Sequence, residues 1–178
     1  EKPGEQSDAA RAGYGSIAQV SRDRIRRAAE LLAPSLSRTP GFRALRVDTS
    51  NVADVWHSPD QTGQLDLEGL ESSIRPDRSA EDVLFQVLLG WGLELTMPIQ
   101  KETIDGFEVH DVEEGALILC TRPREARDLS LSRAAAAIAE RQPLRVVFLD
   151  EDFADDAERI NVGQVFSERS PHTEVKTI

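Results

Sequence analysis

Cysteine is almost absent from this 178-residue chain: Cys120 is the only one. A lone thiol excludes a disulfide framework and a thiolate metal cage, and it fits a reducing compartment. No apolar run approaches the roughly 18 residues of a membrane span, and no signal peptide is visible. The expected setting is cytoplasmic, with no membrane partner. Phe, Trp and Tyr make up only 5% of the chain, and Trp56 has only His57 beside it, with no Phe, Tyr, Lys or Arg nearby in the sequence. It therefore reads as a packing residue rather than a base-stacking platform. Basic charge is also short. The net charge is −11 and the sequence pI about 4.8, which argues against a protein whose main task is gripping phosphates. An initiator methionine is missing, and the polar start EKPGEQSDAARAG reads as a piece cut from a larger protein.

The acidity is uneven. Residues 1–80 carry 11 basic and 12 acidic side chains, whereas residues 81–178 carry 10 and 20. Any nucleic-acid contact is expected from the first part, because the second should repel DNA.

Residues 1–15 read as a mobile polar segment. Ser16 and Gln19 have capping-box spacing, and Ile25, Ala28, Ala29 and Leu32 recur at helical spacing behind them. Residues 16–40 are thus an N-terminal helical arm ending near Pro34. Its other face carries Arg22, Arg24, Arg26 and Arg27, the one dense basic patch. These arginines are a solvated face, a match for acids of a neighbouring domain, or a contact for DNA backbone.

Residues 41–178 read as an α/β domain. After the Thr39-Pro40-Gly41 turn, FRALRV (42–47) is expected as a strand. The loop that follows is anchored by Val52, Val55 and Trp56, and a short helix spans 65–73. Ser79 opens a firmer helix with Leu84, Val87, Leu88 and Trp91 on one face and Gly92 as its stop. Leu93, Leu95, Met97 and Ile99 alternate as in an edge strand. Asp105-Gly106 predicts a tight hairpin, Glu113-Glu114-Gly115 a second turn, and ALILC (116–120) a buried strand with Cys120 as a small hydrophobe. The order then becomes helix (Leu131, Ala134, Ala135, Ile138), central strand (144–149), helix (157–168, presenting Ile160, Val162, Val165 and Phe166) and last strand (172–178). The predicted architecture is an antiparallel meander joined to a small parallel βαβαβ sheet flanked by helices.

The chemistry is thin. In LRVVFLDEDFADD (144–156) an apolar strand flips into carboxylates where ligands of open parallel sheets usually bind. Asp150, Glu151 and Asp152 are therefore the candidate carboxylates of a small Mg²⁺-dependent hydrolase. They are consecutive, however, and successive residues at a strand end point different ways. A solvated loop, with Asp155 and Asp156 capping the next helix, is the competing reading. His57, His110 and His172 are far apart and build neither a metal pair nor a triad. No G-x-S-x-G elbow is present, and neither Gly13-Tyr14-Gly15 nor Gly90-Trp91-Gly92 follows a strand and opens a helix as a phosphate cradle does. No catalytic, cofactor or metal residue is assigned within the chain.

The blocks GYGSIAQVSRDRIRRAAELL, GFRALRVDTSNVADVW, EDVLFQVLLGWGLELTMPI, VEEGALILC, LRVVFLDEDFADDAERINVGQVF and TEVKTI occur in this order. Together they resemble the C-terminal third of the modification subunits of bacterial type III restriction-modification systems, which are adenine-specific DNA methyltransferases. That family uses an Asp-Pro-Pro-Tyr loop for the target adenine and a Phe-x-Gly-x-Gly turn for S-adenosylmethionine. Both motifs precede the region of resemblance and neither occurs here, so no functional residue carries over. The resemblance implies a parent that flips an adenine and methylates it, with residues 41–178 as a non-catalytic accessory domain. The implied partners are the methyltransferase core, a second copy in a homodimer, the helicase-nuclease restriction subunit, and DNA through the parent. One departure stands out: Phe153 is followed by Ala154 and Asp155 where the family has a turn with glycine or asparagine.

Overall fold

The computed structural model describes residues 2–4, 6–35, 41–52, 74–123 and 129–178. The expected anchors Val55 and Trp56, the helix at 65–73 and most of the Thr39-Pro40-Gly41 turn lie outside the described residues. The chain divides into two compact units, residues 1–48 and 49–178.

In the first unit, one helical turn, α1 (Asp8–Arg11), is capped by Ser7 and falls within the segment expected to be mobile. Helix α2 (Ile17–Leu32) follows. Its Ser16 Oγ accepts from the Gln19 N–H at 3.2 Å, as the capping-box spacing requires. The return bond is displaced by one residue, since Gln19 Oε1 accepts from the Gly15 N–H at 2.7 Å. Every described residue of this unit keeps some exposure. The segment FRALRV, expected as a strand, has no ladder partner among the described residues, and a strand alone leaves its backbone groups unpaired.

The second unit is a five-stranded sheet between two layers of helix. Strands β1 (Ile99–Ile104), β2 (Phe107–Val112), β3 (Leu117–Thr121), β4 (Arg145–Phe148) and β5 (Glu174–Thr177) lie side by side in sequence order. The first three form an antiparallel meander, and β3, β4 and β5 are mutually parallel. Asp105 and Gly106 both take positive φ (47° and 87°), as the type I′ hairpin requires. The strand expected to be central, β4, is internal but fourth; the middle strand is β3, all five of whose residues are buried.

Helix α3 (Ala80–Gly90) opens with a complete Ser79–Asp82 capping box and stops at Gly92 (φ 67°). It covers one face of the sheet, packing Val83, Leu84, Val87 and Leu88 on Val112, Leu117, Leu119 and Val147. Helices α4 (Leu131–Ala139) and α5 (Asp156–Arg169) cover the other, around Phe107, Ile118, Phe148 and Phe166. Each of these large apolar side chains, fully buried, contributes about 1.5–3 kcal/mol.

Two expectations fail for local reasons. The stretch 93–98 is a pair of turns, not a strand: Leu93 N–H bonds back to Leu88 O (2.9 Å) and Met97 N–H to Glu94 O (3.3 Å). Its alternation survives as burial, with Leu93, Leu95 and Met97 packed against the core under α3. Ile160 is exposed rather than inward. It sits two residues from buried Val162, about 200° around the helix, so both cannot face the core.

Candidate functional site

The four arginines of α2 do not share one face. At about 100° per residue, Arg22 and Arg26 fall together while Arg24 lies nearly opposite Arg22. Arg22, Arg26, Ala29 and Glu30 line one wall of a cleft of about 410 Å³ whose other wall is Gly41, Phe42 and Ala44. The Arg26 guanidinium stands 6.0 Å from the centre of the Phe42 ring, within cation–π range. Arg27 pairs with Asp23 at 2.8 Å, and Asp23 also accepts a hydrogen bond from Tyr14 Oη, which raises the Tyr14 pKa. The expected dense patch is therefore divided: Arg22 and Arg26 face a cleft, Arg27 is paired with a carboxylate, and Arg24 is exposed.

The carboxylates after β4 are divided too. Asp150 is exposed and pairs with Arg159 at 3.1 Å, and Arg159 also holds Asp156 at 3.0 Å. Glu151 is exposed. Asp152 is 4% exposed, against the expectation of a solvated loop. The single 3-10 turn Asp150–Asp152 swings it inward, where its Oδ2 accepts from the Arg122 N–H at 2.9 Å and its carbonyl from the Arg122 guanidinium. Burial pushes the Asp152 carboxyl up to about 7, beyond what the Arg122 N–H and charge draw back. Three carboxylates so differently placed do not converge on one point. Among the described residues no three His, Cys, Asp or Glu groups are arranged to hold a metal ion.

Asp155 caps α5 as expected, accepting from the Glu158 N–H at 2.7 Å. Less expected is the role of Glu158. Its Oε1 accepts from the Leu131 N–H at 2.8 Å and from Ser130 Oγ at 3.1 Å, while Oε2 accepts from the Ala154 N–H at 2.8 Å. Ser130 itself makes no side-chain cap for α4, so a carboxylate from α5 supplies it. The Arg122 guanidinium lies 3.9 Å from Glu158 Oε2 and 5.5 Å from the Phe107 ring centre. Arg122, Asp152 and Glu158 thus tie the ends of β3 and β4 to the starts of α4 and α5.

Sequence reasoning missed Arg122, and it counted Glu158 only as one of the carboxylates after the 144–149 strand, without its capping role. The available signal was the Asp155-x-x-Glu158 spacing of a capping box. Cys120 lies in β3 as a buried thiol, its pKa raised by burial and then by the nearby Asp152 charge. His110, on β2, is 3% exposed and its Nδ1 has no hydrogen-bond partner among the described residues. Burial lowers its pKa even though Glu108 stands 3.4 Å from its Nε2. No described helix is long and apolar enough to cross a membrane. No protein-family model matches the chain, and no curated protein matches it.

Proposed function

We propose that this chain is a non-catalytic C-terminal accessory domain of a site-specific adenine-N6 DNA methyltransferase of a type III restriction-modification system. In this reading it serves subunit assembly, and S-adenosylmethionine, adenine flipping and sequence recognition belong to the preceding part of the parent. Its partners are the methyltransferase core, a second modification subunit and the helicase-nuclease subunit.

The use the fold makes of its carboxylates supports the reading most. The block LRVVFLDEDFADDAERINVGQVF, which carries much of the family resemblance, spends Asp155 on a helix cap and Glu158 on three hydrogen bonds that fasten two helices. Those are scaffold tasks. A small hydrolase using Asp150, Glu151 and Asp152 has less support, since one of the three faces Arg159 and another is buried against Arg122. In this reading the arginines of α2 (Arg22, Arg24, Arg26 and Arg27) contact DNA backbone or the methyltransferase core, a reading supported by the two of them, Arg22 and Arg26, that line the cleft.

The test is methyl transfer to duplex DNA by this chain alone and by the chain joined to its upstream coding sequence. No transfer is expected from the chain alone. Transfer is expected from the joined protein, whose upstream sequence should contain both missing motifs. Activity of the isolated chain, or an upstream sequence without those motifs, overturns the proposal.

A further inference from the structure

We propose that the outer edge of β5 is a self-association surface, where β5 of two copies pair antiparallel about a two-fold axis through Val175. The inference deepens the methyltransferase reading by naming a surface for its second copy, and the two fail separately: a monomeric chain overturns this inference, whereas the methyl-transfer result decides that reading.

Strand β5 is last in the sheet, with β4 on one side and no strand on the other among the described residues. The Glu174 and Ile178 N–H groups are turned toward β4, donating to Leu144 O (2.9 Å) and Phe148 O (3.1 Å). By strand alternation, the Val175 and Thr177 N–H groups point outward. An open edge of this kind recruits another strand unless its side chains forbid it.

Symmetry narrows the choice. A two-fold axis perpendicular to the sheet preserves its faces, so directly opposed residues must come from the same face of the strand. For a four-residue strand this leaves two centred registers, with either Val175 or Lys176 on the axis. Lys176 on the axis sets like charges directly opposite, which is destabilising. Val175 on the axis sets Glu174 opposite Lys176 of the partner subunit, twice, and aligns the outward amide and carbonyl of Val175 as a hydrogen-bonded pair. Both charged side chains are accessible for this, Lys176 at 45% and Glu174 at 48% exposure, although Glu174 already lies 3.3 Å from its own Lys176 and 3.1 Å from Arg145. Val175 is half-buried against the core under α4 and α5, and pairing covers its remaining side.

The opposite edge behaves differently. In β1 the two registers nearest the strand centre place Lys101 or Glu102 on the axis, each facing its own copy. Charge therefore blocks self-pairing at β1 and permits it at β5. Pairing at β5 makes one continuous ten-stranded sheet, and a short edge makes the dimer concentration-dependent.

Sedimentation equilibrium of the full chain, with Glu174→Lys and Lys176→Glu variants, tests this. Wild type should reach twice the 19.7 kDa chain mass as concentration rises. Each variant sets like charges across the axis and should remain monomeric. An equimolar mixture of the two should dimerise again, because one chain then presents two lysines and the other two glutamates. Circular dichroism melting confirms that each variant is folded; if one is not, Thr177→Pro, which removes an outward N–H, replaces it and should weaken the dimer. A wild type that stays monomeric at its highest soluble concentration overturns the proposal. So do variants that dimerise like wild type, or a mixture that stays monomeric.

Discussion

Helices α2 and α4 are both amphipathic, yet α4 buries Leu131, Ala134, Ala135, Ile138 and Ala139 while α2 buries nothing. Ile17, Ile25 and Leu32, the apolar stripe of α2, stay about half exposed. A periodic stripe specifies which face of a helix is adhesive and says nothing about what adheres to it. Local terms hold α2: the Ser16 cap, worth about 1 kcal/mol, and the Asp23–Arg27 pair, worth about 0.3–0.5 kcal/mol. Tertiary terms hold α4, namely the shared core with β2, β3 and β4 and a cap supplied from α5.

The sharpest test of this contrast removes the core beneath α4. Phe148→Ala, at a side chain touching both Phe153 and Phe166, should cost about 3–5 kcal/mol in urea unfolding of the second unit. A loss below about 1 kcal/mol would mean that α4 is not held by the core.

Next in size is the pH dependence of the buried carboxyl. The Asp152 pKa is raised from 3.8 to about 7 by burial, so the folded state keeps its proton between those values while the unfolded state loses it. Stability should fall as pH rises through that window, by roughly 4 kcal/mol at 1.36 kcal/mol per unit. Asp152→Asn should be more stable than wild type at pH 8 and about equal to it near pH 4. His110 works the other way. Its folded pKa lies below 6.5, so stability is lost as pH falls below 6.5 and the unfolded state takes up the proton first. In wild type the two slopes oppose each other; in Asp152→Asn only the acid-side fall should remain. A variant parallel to wild type across the whole range would contradict the placement of Asp152.

Glu158→Gln should cost about 1–3 kcal/mol, because an amide cannot accept at both ends and the Leu131 and Ala154 N–H groups compete for one oxygen. Amide exchange should speed up first at Leu131. Equal exchange would show that α4 needs no outside cap. The smallest effect is expected in α2: Ile25→Asp, at a side chain about half exposed, should change the stability of the first unit by less than about 0.5 kcal/mol in urea unfolding. A larger shift would end the distinction between the two helices.

Much of this fold is legible in the sequence because its signals are local. Asp105-Gly106 specifies a turn, Ser79 and Asp82 a helix start, and the unbroken apolar runs at 117–120 and 146–149 strands covered on both faces. Residues 42–47 and 93–98 mislead because alternation reports which side chains are wetted, not whether a second strand is present to bond the backbone. The candidate site was less legible. The Arg122–Asp152–Glu158 arrangement joins residues 30 or more positions apart, and a single helical turn decides that Asp152 goes inward while Asp150 stays in water. Acidic composition around residue 150 looks solvated until that turn is known.

The sheet is ordered β1 to β5 as in the chain, with no strand inserted between earlier neighbours. Each strand made by the ribosome can therefore dock on the one just before it, so the sheet can be assembled during synthesis without reopening any ladder. Only the last steps are delayed. Until α5 emerges, the α4 start lacks the Glu158 cap and Arg122 has Asp152 but not Glu158 beside it, so the half-made domain is held at the meander and remains loose at its parallel end.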